Sequence, residues 1–175
     1  TTASAQRRLE VMDRLIERHE DVAWALLFKM LPDGSGWASA NAKPRWRDYD
    51  AGAPRSNDWA EADITLPAVG KRVLDAAEGH AERIAQLVGR LNAFEDVYHE
   101  RLMAMIYGAV AFSDSERQQV REAVRTRVSW QLSYNTNDAA AVAEAQALRT
   151  LFDALAPEDL ALRHAGRSLN GWGGL

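Results

Sequence analysis

From residue 9 the chain places apolar or histidine side chains at Leu9, Met12, Ile16, His19, Ala23, Leu26 and Met30. Steps of three and four keep side chains on one face of an α-helix. Uninterrupted, the pattern predicts one helix of about 27 residues. The charged cluster Glu17-Arg18-His19-Glu20-Asp21 equally allows a break into two antiparallel helices, and the hairpin is favoured. His19, on the apolar face, reads as a boundary residue rather than a ligand or base.

Beyond residue 63 the same period returns. Thr65 can cap a helix with Pro67 in its first turn, burying Val69, Val73, Leu74 and Ala77 and stopping at Gly79. A second helix from about His80 to Asn92 buries Ile84, Leu87, Val88 and Leu91, and a third from about Asp96 to Ala111 buries Leu102, Met105, Ile106 and Ala109. Ser113-Asp114-Ser115-Glu116 has the form of a capping box opening a helix to about Ser133, with the stripe Val120, Val124, Val128 and Leu132. A polar turn follows at Tyr134 to Asp138, where Asn137 or Asp138 caps an alanine-rich helix to Leu155. Pro157-Glu158-Asp159 then starts a short helix to about Ala165. The expected fold is all-α, with seven or eight helices of about 10 to 20 residues in antiparallel pairs, as a helical bundle or an α-solenoid-like stack.

The period fails over the 32 residues from Pro32 to Asp63, which carry Trp37, Trp46 and Trp59 together with Pro32, Pro44 and Pro54. A connection this long inside a compact domain is usually functional or disordered, and tryptophan argues against disorder. An ordered Trp-rich loop docked on the helices is expected, and with it a first candidate binding surface.

Composition sharpens this reading. Thirty-one alanines and the lack of an alternating strand pattern support the helical assignment. A length of 175 residues fits one domain, 1–175, with a glycine-rich tail over 168–175. Because the first residue is not Met and the tail is Leu169-Asn170-Gly171-Trp172-Gly173-Gly174-Leu175, a fragment of a larger protein is a natural reading. A net charge of -4 gives no global attraction to nucleic acid or anionic membrane. The absence of cysteine removes disulfides, thiolate metal sites and cysteine nucleophiles, and fits a cytoplasmic protein. Neither a run of 18 apolar residues nor a signal-peptide pattern occurs, so no membrane partner is expected.

Two groups of cations stand out. Lys43, Arg45, Trp46, Arg47 and Tyr49, with Trp37 and Arg55 nearby, interleave charge with aromatic rings, a combination that can pair phosphates and stack on bases. The plainer alternative, favoured by the net charge, is that the rings pin the loop and the cations pair with acids. Arg117, Arg121 and Arg125 form an i, i+4, i+8 row in which like charges repel, so acids of an adjacent helix, or else a partner, should face them.

Catalytic and metal motifs are thin. Asp96-Val97-Tyr98-His99 has one carboxylate-histidine spacing of the di-iron type, where two such pairs are needed. His80-Ala81-Glu82 lacks the cysteines of a deaminase, and His99-Glu100 lacks a second histidine at the zincin spacing. No nucleophile elbow, Walker loop or dinucleotide fingerprint occurs. No cofactor is expected. A helical metal-dependent enzyme built around Glu95, Asp96 and His99 stays as a third reading.

The runs His19-Glu20-Asp21-Val22-Ala23-Trp24-Ala25-Leu26-Leu27, Leu31-Pro32 and Lys43-Pro44-Arg45-Trp46-Arg47-Asp48 resemble helical C-terminal regions of large bacterial proteins. Such regions accompany NTPase or effector domains of the STAND type, in systems associated with phage defence. The ending Pro157-Glu158-Asp159-Leu160 to Arg163-His164-Ala165 is similar to their closing helix. The resemblance implies a helical partner or sensor part, since no NTPase motif is present. The leading expectation is a non-catalytic interaction domain of a larger bacterial assembly, binding a protein partner or a neighbouring domain. Nucleic-acid or nucleotide binding through the basic aromatic loop is the alternative.

Overall fold

The computed structural model of the chain describes residues 4–32, 59–94, 96–134 and 137–163. The described residues form seven α-helices and two short 3-10 turns, an all-α fold. The chain clusters into two compact units, 1–76 and 77–175.

The first unit holds α1 (Ala5–Arg18), α2 (Glu20–Met30) and most of α3 (Trp59–Ala77). The long periodic run does break, at His19, whose backbone (φ -148°, ψ 64°) leaves the helical region. Its amide still donates to the Leu15 carbonyl at 2.7 Å and its carbonyl accepts from Ala23 at 3.0 Å, so this one residue closes α1 and opens α2. The two helices contact each other. His19 is exposed at the bend rather than seated on an apolar face.

The inner side of α2 continues the stripe that begins at Leu9. Ala23, Trp24, Leu27 and Leu31 are buried, while Leu26 and Met30, expected to continue the buried stripe, are exposed. Each three-plus-four step falls about 20° short of two full turns, so the spacing drifts off the inner face by Leu26 and Met30, whereas Leu27, 18 residues and five turns from Leu9, stays on it.

α3 begins at Trp59, six residues before the expected Thr65 cap, so 59–63 are helical rather than loop, and Pro67 lies inside the helix. Ala60, Glu61 and Ala62 are favourable helix formers, which offsets part of the cost of an interior proline. The rest of the predicted loop, 33–58, lies outside the described residues, as does the glycine-rich tail. The expected stripe Val69, Val73, Leu74 and Ala77 is buried throughout. α1 and α3 are joined by a two-pronged ion pair: Arg72 Nε and Nη2 donate to the two Asp13 carboxylate oxygens at 2.6 and 2.7 Å, while Arg72 Nη1 donates to the Ala68 carbonyl at 3.0 Å. The hydrogen bonds from Arg72 hold the Asp13 carboxyl below its ordinary range.

The second unit continues with α4 (Ala81–Val88), a 3-10 turn, α5 (Asp96–Gly108), a second 3-10 turn, α6 (Asp114–Tyr134), α7 (Ala139–Ala154) and a last helical turn over 160–163. Gly79, with φ +78°, ends α3 in the left-handed conformation that glycine adopts without strain. α6 packs against both α4 and α7. Its contacts with α7 pair Arg121 with Phe152 and Arg127 with Glu144, so position falls on one helix as it rises on the other and the pair is antiparallel. Ile84, Leu87, Val88 and Leu91, together with Leu102, Ile106 and Ala109, are buried as expected, and only Met105 is half-exposed.

Along α6 the buried row runs Val120, Val124, Val128 and then Gln131, with the expected Leu132 exposed. Four-residue steps overshoot a full turn by about 40° each, so a row of them drifts around the helix until position 131 is nearer the core than 132.

The helix starts follow the expected chemistry with one difference. Asp138 caps α7, accepting from the amides of Ala140 (2.9 Å) and Ala141 (3.4 Å). At α6 the Ser113 amide donates to Glu116 Oε2 at 3.1 Å, the return half of a capping box, but the Ser113 hydroxyl also turns to that carboxylate instead of to an amide. Asp114 accepts from the Asp159 amide at 2.8 Å and from Arg117, tying the final turn to the start of α6. These bonds, that from the Asp159 amide foremost, keep the Asp114 carboxyl below its ordinary range, and the Ser113 hydroxyl does the same for Glu116.

Two outcomes follow. Asp13→Asn should remove about 1 kcal/mol of stability, a loss that shrinks in high salt because the pair is partly solvated, as read by urea denaturation at two salt concentrations. A lowered folded pKa means that the stabilisation from Asp13, Asp114 and Glu116 is complete above the unfolded value of about 4 and is lost as pH falls through the lower folded values. The urea midpoint should therefore hold steady from neutral pH to about 5 and decline below about 4, with a shallower decline in Asp114→Asn.

Candidate interaction surfaces

The outward side of α2 carries a row of exposed apolar side chains. Val22, Leu26 and Met30, four residues apart, are 54%, 44% and 39% exposed. Beside them runs a second exposed row, Asp21, Ala25 and Lys29. The inner side of the same helix is filled by Ala23, Trp24 and Leu27, with Trp24 tilted against Phe28 at 5.8 Å between ring centres. α2 is therefore apolar on both sides, which a helix needs only when both sides find a cover.

The α6 arginine row is engaged within the domain. Arg117 pairs with Asp114 on its own helix and lies 4.0 Å from Glu158. Arg121 donates from Nε to the Phe152 carbonyl at 3.1 Å and stacks on the Phe152 ring, 3.9 Å from its centre. Arg125 pairs with Glu122 at 2.7 Å. The row is thus met by acids of α6 itself, by Glu158 and by a carbonyl and ring of α7. Trp37, Lys43, Arg45, Trp46, Arg47, Tyr49 and Arg55 lie outside the described residues.

A polar network that sequence spacing does not reveal joins α5, α6 and α7. Glu144 Oε1 accepts from Arg127 Nε (3.3 Å) and Nη2 (3.2 Å) and from the Gln131 side-chain amide. Its other oxygen lies 3.6 Å from His99 Nε2. The Arg127 side chain is only 9% exposed and that of His99 30%. Buried Gln131 donates to Glu144, while its Oε1 has no hydrogen-bond partner among the described groups. At the outer edge the Arg127 guanidinium sits 5.4 Å from the Trp130 ring centre, and Trp130 tilts against Tyr134 at 5.8 Å. His99 thus finds its carboxylate on α7. Glu95 and the side chain of Asp96, expected beside it, lie outside the description, and no cluster of three or more His, Asp or Glu residues able to hold a metal occurs among the described residues. No described helix is long and apolar enough to cross a membrane.

No protein-family model, curated protein or solved structure matches this chain.

The network has the geometry of a structural clamp, since all three donors on Glu144 converge on one oxygen. Glu144→Gln should cost about 2 kcal/mol by leaving the Arg127 charge uncompensated in a largely buried position. His99→Ala, which removes a partly exposed group beyond hydrogen-bond distance, should cost under about 1 kcal/mol; thermal unfolding of the two variants side by side checks the order.

Proposed function

We propose that the chain is a non-catalytic helical interaction domain, working in the cytoplasm as part of a larger bacterial assembly, and that the outward face of α2 is part of its contact surface. The observation that carries this reading is the exposed row Val22, Leu26 and Met30 on a helix whose opposite side is already committed to the core. Burying apolar area contributes roughly 25 cal/mol per Å2, so a row of three such side chains favours a partner that covers it. The Trp-rich segment follows α2 directly in sequence. The likeness to helical regions of STAND-type proteins supports the same role, that of a partner or sensor part beside another domain.

A photo-crosslinking residue placed at position 26, with the chain expressed in its native host, should give a discrete adduct that disappears when Val22→Glu is added. The same residue at exposed position 14 on α1 serves as the control and should give none. Equal labelling from both positions, or none from position 26, would remove the support for α2 as a contact face.

A further inference from the structure

The geometry points to a second contact face, on the outward side of α1, whose occupant is an acidic segment of a partner protein with an apolar residue among its carboxylates. Arg7, Val11, Arg14 and Arg18 are all exposed. At about 100° per residue they fall within an arc of about 60°, along about 16 Å of the helix and opposite the buried Leu9. The Arg7 side chain is 65% exposed and reaches Glu10 at 3.6 Å. Arg14 and Arg18 repel each other at i, i+4, and among the described residues neither makes a side-chain ion pair. Asp13 is engaged by Arg72, and Glu10 and Glu17 both stand on one edge of the arc.

Arginine is a good helix former, so the cations by themselves are accounted for by a solvated surface. Val11 is not. It is 57% exposed, and a branched side chain at such a position adds nothing to helix propensity. An apolar side chain set between guanidiniums fits a protein segment better than other polyanions. A phosphate backbone offers charge without apolar cover, and the net charge of -4 opposes its approach. Seating in an anionic membrane surface needs an apolar face wider than one valine. Carboxylates, which take guanidinium in a two-pronged fashion, together with one apolar side chain to cover Val11, answer both features. The face lies on a different helix from the exposed row of α2, and its test does not depend on that row.

Fluorescence anisotropy reads the contact, with a fluorescein-labelled helical peptide of about 15 residues that carries glutamates and one leucine on the same face. Arg14→Gln combined with Arg18→Gln should weaken binding about tenfold and Val11→Gln about threefold. Arg149→Gln, at an exposed cation of α7, should leave it unchanged, with circular dichroism confirming that each variant is folded. Replacing the peptide leucine by asparagine should cost the unaltered protein about threefold and the Val11→Gln variant nothing further. A peptide that does not bind saturably, or binding indifferent to the arginine changes, overturns the inference. So does tighter binding, through the same arginines, of single-stranded DNA or of phosphatidylserine vesicles. A crosslinking residue at position 14 removes one of these guanidiniums, so the lack of an adduct there agrees with both faces.

Discussion

Each described helix turns one stripe inward, and the step of about 100° between residues decides which side chains belong to it. At His19 a single residue leaves the helical region while both of its backbone groups stay bonded, so the break leaves no orphaned amide or carbonyl at the joint. The stripe carries across that joint: Leu27 lies five whole turns from Leu9, and both are buried while Leu26 is exposed.

The second unit depends on a comparable economy in α6, which supplies a face to α4 and another to α7. Its valines serve the apolar contacts, while its arginines bond to its own acids, to the end of α7 and, through Arg127, to Glu144. Cations on a helix of a protein with net negative charge can thus be spent inside the fold. A basic row in a sequence marks a place where negative groups or carbonyl oxygens gather, and those can lie on the same helix.

Much of the architecture was legible in the sequence because it is local. Ser113, Asp138 and Gly79 announce helix ends through bonds or torsions within a few residues, and the stripes of α3, α4 and α5 lie within unbroken helices where the period can be counted. The departures arise where a regular spacing drifts from about 3.6 residues per turn, by alternating threes and fours at Leu26 and Met30 and by four-residue steps at Leu132. Thr65 misled because proline is more common at a helix start than inside one, whereas here α3 runs through Pro67. The Asp13–Arg72 pair and the Glu144 network had no sequence signal at all, since their partners lie 59 and 13 to 17 residues apart and nothing in the spacing selects one acid over another. Of the candidate site, the α2 residues were visible but assigned to the core.

Asp114 has a role beyond opening α6. One of its oxygens receives Arg117 and the other the Asp159 amide, and Asp159 in turn accepts from the Ala161 amide at the start of the final turn. Two helix starts separated by 45 residues are therefore nucleated around one carboxylate. Removing that carboxylate would strip a hydrogen bond from both starts at once, so the segment that looks most peripheral is tied to the longest described helix.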